Sequence, residues 1–284
     1  MTIRVTSSAS ALVAGYSVGS LIRNFTPEQE AAAVAAGVAV YGSPHLQDPD
    51  GGIASVARIL GQTGIPCVIA NSGTVATNGT VTLGTALPLT YPQAWLYLPA
   101  GAVVGGLAGW YYAVMSSTTV GQVYTAYMAT MTLPYVPTTA ALVAAVGSNS
   151  AYTGATGADI QMGAVTVSAN RMGTNGALRY HALFGHNSTA GNKIEKAKFG
   201  SGTVVSSTAT TTTGLTMSKR VQNRAAASQV IQAGLETGAP VSVAPSLLAI
   251  DTTADVVASF TGQLAVATDV CVLEAWSIEI LPGV

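Results

Sequence analysis

Residues 59–158 contain no lysine, arginine, aspartate or glutamate. A surface built from such a stretch is solvated by hydroxyls and amides or covered by other protein, because an uncharged exterior gives little protection against association. The scarcity extends to the whole chain. Charged residues make up 8% of the 284, against ~25% in an ordinary soluble domain. Hydrophobic residues reach 49% and mean hydropathy is +0.44, the opposite of a disordered composition. Eleven basic residues against twelve acidic ones leave a net charge of −1, with no cationic excess for a phosphate backbone or an anionic membrane. Nucleic acid is therefore not an expected partner.

Within the uncharged stretch, Ala94 to Met115 is apolar and long enough to span a bilayer, and Gly101, Gly105 and Gly109 fall at G-x-x-x-G spacing. Pro99 and the glycines interrupt it, and its ends, Trp95-Leu96-Tyr97-Leu98 and Trp110-Tyr111-Tyr112-Ala113-Val114, have the aromatic and β-branched character of strands. No basic residue between Arg58 and Arg171 could set a membrane topology. The pattern predicts two strands joined by a Gly-rich connection, without membrane insertion. Met1 to Val5 has no apolar run of the kind that follows the basic residue of a signal peptide, so synthesis in a cytoplasm is expected. Cys67 and Cys271 stand in alternating apolar contexts and read as buried thiols.

Three units follow along the chain: 1–52, 53–157 and 158–284. In the first, Thr26-Pro27-Glu28-Gln29 combines an N-cap hydroxyl, a proline at the first helical position and a capping-box glutamine. It predicts a helix ending at Gly37, set between strands at Ile3–Val5 and Val38–Tyr41. In the second, short strands are predicted at Cys67–Ile69, Thr80–Leu83 after an Asn78-Gly79 turn, Trp95–Leu98, Trp110–Met115 and Val120–Met128. A short helix is expected over Thr138–Val146, and a linker over Ser148–Gly157. In the third, strands are predicted at Ala164–Ser168, Gly176–Phe184, Lys193–Phe199, Gly202–Ser206, Leu215–Gln222, Asp255–Thr261 and Asp269–Leu281. Gly185–Asn192 reads as a hairpin connection. The fold class is mainly β: a small β-helix-β piece followed by β-sandwich domains, the last with enough antiparallel strands for a jelly roll.

No reaction chemistry stands out. His181 and His186 are five apart, on opposite faces of a continuing strand, and lack a matching Cys or carboxylate cluster, so no metal is assigned. His45, Asp48 and Asp50 lack the spacing of a calcium loop. The carboxylate pairs a glycosidase-like depolymerase would need are Asp251 with Asp255 or Glu274 with Glu279; the latter two face opposite sides of one strand. Nucleophile-elbow, P-loop, dinucleotide and zinc-protease motifs are missing. The chain reads as a non-enzyme without a cofactor. Trp95, Tyr97, Trp110 and Tyr111 read as core or subunit-interface aromatics, and the uncharged middle unit predicts a homo-oligomer.

In the third unit, Met172–Arg179, Asn192-Lys193 with Lys198-Phe199-Gly200, Arg220–Arg224, Asp251–Asp255 through Thr261–Leu264, and Val272–Glu279 stand out together. Through these residues the unit resembles the jelly-roll module of tailed-bacteriophage structural proteins. The middle segments Trp95–Ala100 and Ala108–Val114 resemble stretches that precede the module in phage fibre and head proteins. The resemblance implies a non-enzymatic virion component, commonly trimeric, at the particle surface. On that reading a capsid decoration or head-fibre protein binds the major capsid protein or other virion proteins through its first unit, with Arg4, Arg23, Phe25 and Tyr41 as anchoring candidates. The alternative is a tail-associated receptor-binding protein that touches host-surface glycan through His186, Asn187, Asn192, Thr211 and Thr212.

Overall fold

The computed structural model describes residues 2–5, 21–22, 39–42, 58–63, 65–76, 78–103, 107–128, 150–153, 157–233 and 244–281. Regular structure among them is all strand. The predicted helices at 26–37 and 138–146 lie outside the described residues, as do Arg23, Phe25, His45, Asp48 and Asp50. The chain divides into two units, residues 1–56 and 57–284.

In the first unit β1 (Thr2–Val5) pairs antiparallel with β2 (Leu21–Ile22) and with β3 (Ala39–Gly42). Arg4 stands opposite Leu21 and Val40, and Tyr41 opposite Ile3.

The second unit begins with β4 (Arg58–Thr63), β5 (Cys67–Ala70), β6 (Ser72–Val75) and β7 (Thr80–Leu83). It continues with β8 (Ala94–Leu98), β9 (Gly109–Met115), β10 (Val120–Met128) and β11 (Ser150–Thr153). The apolar run is thus two antiparallel strands, β8 and β9, and no described helix is long and apolar enough to cross a membrane. Next come β12 (Ile160–Val167), β13 (Ala177–His186), β14 (Lys193–Phe199), β15 (Gly202–Ala209) and β16 (Gly214–Ala225). The unit ends with β17 (Ser228–Ile231), β18 (Ser246–Leu248), β19 (Val256–Leu264) and β20 (Val270–Leu281).

Two sheets organise these strands. The small one runs β12-β19-β14-β15, and the large one β11-β6-β7-β10-β9-β8-β5-β20-β13-β16-β17-β18, with β4 also on β20. β20 joins the halves of the large sheet: one edge pairs with β13, while the other pairs with β5 at residues 270–273 and with β4 at 276–280. Strands read from sequence as a middle domain are therefore continuous by backbone hydrogen bonds with those of the C-terminal stretch.

The two sheets face one another across an aromatic core. Phe260 of the small sheet packs edge-on against Tyr180 and Phe184 and tilted against Trp276 of the large one, with ring centroids 5.8, 6.4 and 5.9 Å apart. A second core lies on the opposite face of β5, β8 and β9, where Leu87, Tyr91, Ala102 and Val103 cover Val68, Leu96 and Ala113. Burial on both faces is why these strands are nearly continuous apolar runs instead of alternating ones. It also accounts for the missing charge in this stretch.

Candidate functional site

The polar site of this unit lies inside one end of the sandwich and starts from an alternation. In β14, Ala197 and Phe199 point into the core, and the two-residue period carries Lys193 and Glu195 to the same side; all four side chains are buried. Isolated charges in such a place are costly, so each requires partners. Lys193 Nζ donates to the carbonyls of Thr189 (3.0 Å), Gly191 (3.0 Å) and Thr210 (2.8 Å), and it lies 3.6 Å from Asp269 Oδ1. Asp269 Oδ1 also accepts from Thr189 Oγ1, and its Oδ2 accepts from the Val266 amide. Asn187 bridges from the same side: its Nδ2 donates to the Thr268 carbonyl and its Oδ1 accepts from the Val270 amide.

These bonds gather three connections, 187–192, 210–213 and 265–269. Ser188 Oγ donates to the Thr211 carbonyl and the Ala265 amide to the Asn192 carbonyl. Gly185–Asn192 is not a hairpin, since β13 and β14 belong to different sheets. It is the crossing from one sheet to the other, and its internal bonds hold the end of the sandwich closed. Asn192, Thr211 and Thr212 are exposed on these connections. His186 and Asn187 are buried, which corrects their expected role in outer-loop contact: His186 is the last residue of β13, and Asn187 is turned inward by its two backbone bonds.

Below the connections His186 Nε2 lies 2.7 Å from Glu195 Oε1, and the Cys271 thiol donates to the same oxygen at 3.9 Å. His186 and Cys271 are register partners on β13 and β20, so the three side chains span both sheets. Burial, reinforced by the negative charge of Glu195 and by the hydrogen bond to it, pushes the Cys271 thiol well above its ordinary range. Glu195 Oε2 and His186 Nδ1 are buried without a hydrogen-bond partner. Sequence reading weighed His186 beside His181 and missed Glu195 and Cys271. The signal was present in Lys193–Phe199, where placing Ala197 and Phe199 inward places Glu195 inward as well.

The other candidate residues do not converge. Trp95, Trp110 and Tyr111 are buried within the chain, and Tyr97 packs edge-on against Trp110 at 5.4 Å. The subunit-interface reading of the three buried aromatics is thereby replaced by the core reading. Glu279 pairs with Arg179 at 3.4 Å, whereas Glu274 takes a hydrogen bond from the Tyr91 hydroxyl. Asp251 accepts from the amide and hydroxyl of Thr253, which hold its carboxyl below the usual range. Asp255 accepts from the Ala169 amide. Asp251, Asp255 and Asp159 border an open groove of about 630 Å³ with Lys198, Ser259 and Thr261; Asp159 is held there by Lys196 at 2.8 Å.

No protein family, curated protein or solved structure matches this chain.

Proposed function

We propose that this chain is a non-enzymatic structural protein of a tailed-phage virion, a capsid decoration or head-fibre protein that binds the shell as an oligomer and displays its β domains outward. The observation that carries the reading is the form taken by the segments that resemble the phage module. They lie on or beside β13, β14, β16, β19 and β20, strands of two facing sheets that pair antiparallel with one another within each sheet. From β12 onward, successive strands change sheets between β12 and β13, β13 and β14, β15 and β16, β18 and β19, and β19 and β20, which supports a jelly-roll assignment. The closed, internally bonded end of this sandwich suits a part exposed to proteases and drying. The first unit is the candidate anchor, and a trimer is proposed from the resemblance.

The test is the position of the protein on purified particles of the phage that encodes it, by cryo-EM with an antibody against residues 158–284. Label over the head, lost when residues 1–52 are deleted, is the expected result. Absence from the particles overturns the proposal.

The exposed Asn192, Thr211 and Thr212, brought together at one end of the sandwich, favour a second reading, a tail-associated protein that contacts host-surface glycan. Label at the tail, with host-cell binding abolished by replacing residues 188–192 and 210–213, would establish it over the first.

A further inference from the structure

We propose that His186, Glu195 and Cys271 form a buried three-residue site for one divalent transition-metal ion of the zinc type. The inference is independent of any virion role. An imidazole, a carboxylate and a thiol are the donor types zinc takes, and here one of each is buried with the ligand atoms all within 4.8 Å of one another. A tetrahedral zinc ion sets its ligand atoms roughly 3.3–3.8 Å apart. The observed 2.7 Å from His186 Nε2 to Glu195 Oε1 and 3.9 Å from Cys271 Sγ to the same oxygen lie on either side of that range.

One further observation points to a ligand. Glu195 Oε2 is buried with no hydrogen-bond partner, an expensive state for a carboxylate oxygen that a bound cation would relieve.

Charge balance agrees. Lys193 is matched by Asp269, which leaves His186 as the group in contact to balance Glu195. A divalent ion with the Glu195 carboxylate, the Cys271 thiolate and a neutral imidazole is a neutral assembly, the form a dry interior tolerates. Binding releases the thiol proton, and any proton on Nε2, to solvent; nothing is oxidised or reduced. The ion would tie β13 and β20 of the large sheet to β14 of the small one, directly beneath the three connections.

The full chain, expressed with zinc supplementation, should carry about one equivalent of zinc after dialysis, measured by elemental analysis. Refolding with Co²⁺ should give a thiolate-to-cobalt charge-transfer band. Cys271→Ser should abolish the band and Glu195→Gln should reduce the bound metal several-fold, while Cys67→Ser, which removes the buried thiol outside the cluster, leaves both unchanged. A folded wild-type chain holding less than about a tenth of an equivalent, or a charge-transfer band that survives in Cys271→Ser, overturns the site. Should the variants fail to fold, the wild-type stoichiometry and the cobalt band decide it.

Discussion

Lys193 Nζ lies 3.6 Å from Asp269 Oδ1 with both side chains fully buried, and its three protons are matched by three carbonyls of the connections above it. An ammonium offers three donors and no acceptor, so the group is saturated without water. Burying two ions costs several kcal/mol each, and a buried pair persists where geometry and additional hydrogen bonds compensate. Here the Lys193 bonds reach the 187–192 and 210–213 connections and Asp269 accepts from its own, at the Val266 amide, so the ion pair closes the end of the sandwich.

Lys193→Met keeps the bulk of the side chain but leaves Asp269 buried without its cation and three carbonyls without a donor. We expect the unfolding free energy, measured by urea denaturation at neutral pH, to fall by about 3–5 kcal/mol. In Lys193→Met/Asp269→Asn the unpaired charge is gone, and the loss should be smaller than the sum of the single losses. A single variant within about 1 kcal/mol of the parent would show that the pair does not hold the connections.

The tryptophans of the uncharged stretch make a second test. Trp95 is fully buried and packs edge-on against Tyr112 at 5.9 Å. Trp110 Nε1 donates to the Gln161 carbonyl at 3.1 Å, tying β9 to β12. Trp95→Ala should cost about 3–5 kcal/mol of unfolding free energy through the cavity it leaves. Sedimentation of the folded variant should return the parent's assembly state, because the side chain faces the chain's own core. Dissociation at unchanged stability would restore the interface reading of this residue.

The strands that sequence reading located well, β7, β8, β9, β10 and β14, carry aromatic or β-branched residues or clear alternation between turn signals. Those it missed, β2, β4, β6, β11, β17 and β18, are short or poor in such residues, as Ser72-Gly73-Thr74-Val75 and Ser150-Ala151-Tyr152-Thr153 illustrate; they are strands through their partners. The turn residues of Gly185–Asn192 serve a hairpin and a crossing between sheets equally well, so local chemistry could not show that β14 leaves the sheet of β13. The buried site was obscured for a related reason. Charges at Lys193 and Glu195 resemble a solvated face until Phe199 fixes the inward side, and the meeting of His186 with Cys271 depends on register between strands distant in sequence.

Gly163 is required by a close approach. A Cβ at this position would fall 2.7 Å from Cε2 and Nε1 of Trp276, an indole held against Phe260. The glycine also adjoins an irregularity in the β12–β19 register, between Gln161 and Gly163. Gly163→Ala must displace the indole, and overpacking of this kind costs about 1–3 kcal/mol. A lowered thermal midpoint together with a shifted tryptophan emission spectrum is the expected result; an unchanged midpoint would show that the indole moves freely.

Glu274 provides the pH test. Leu183 pairs with Ala275 and Phe184 with Leu273, so Glu274 is the extra residue of a bulge in β20. Bulges re-aim side chains, and this one meets the Tyr91 hydroxyl. Burial raises the carboxyl above its ordinary value near 4.5, against the opposing pull of the Tyr91 hydrogen bond. A raised carboxyl binds its proton more tightly in the folded state than in the unfolded one. Its contribution to stability is therefore fully present below the unfolded value and is lost as pH rises through the folded value. Glu274→Gln is neutral at every pH and keeps a carbonyl for Tyr91. Its thermal midpoint should exceed the parent's at neutral pH, and the difference should close as pH falls below about 4.5. A variant less stable than the parent at neutral pH would mean that the charged hydrogen bond to Tyr91 outweighs the desolvation of the carboxylate.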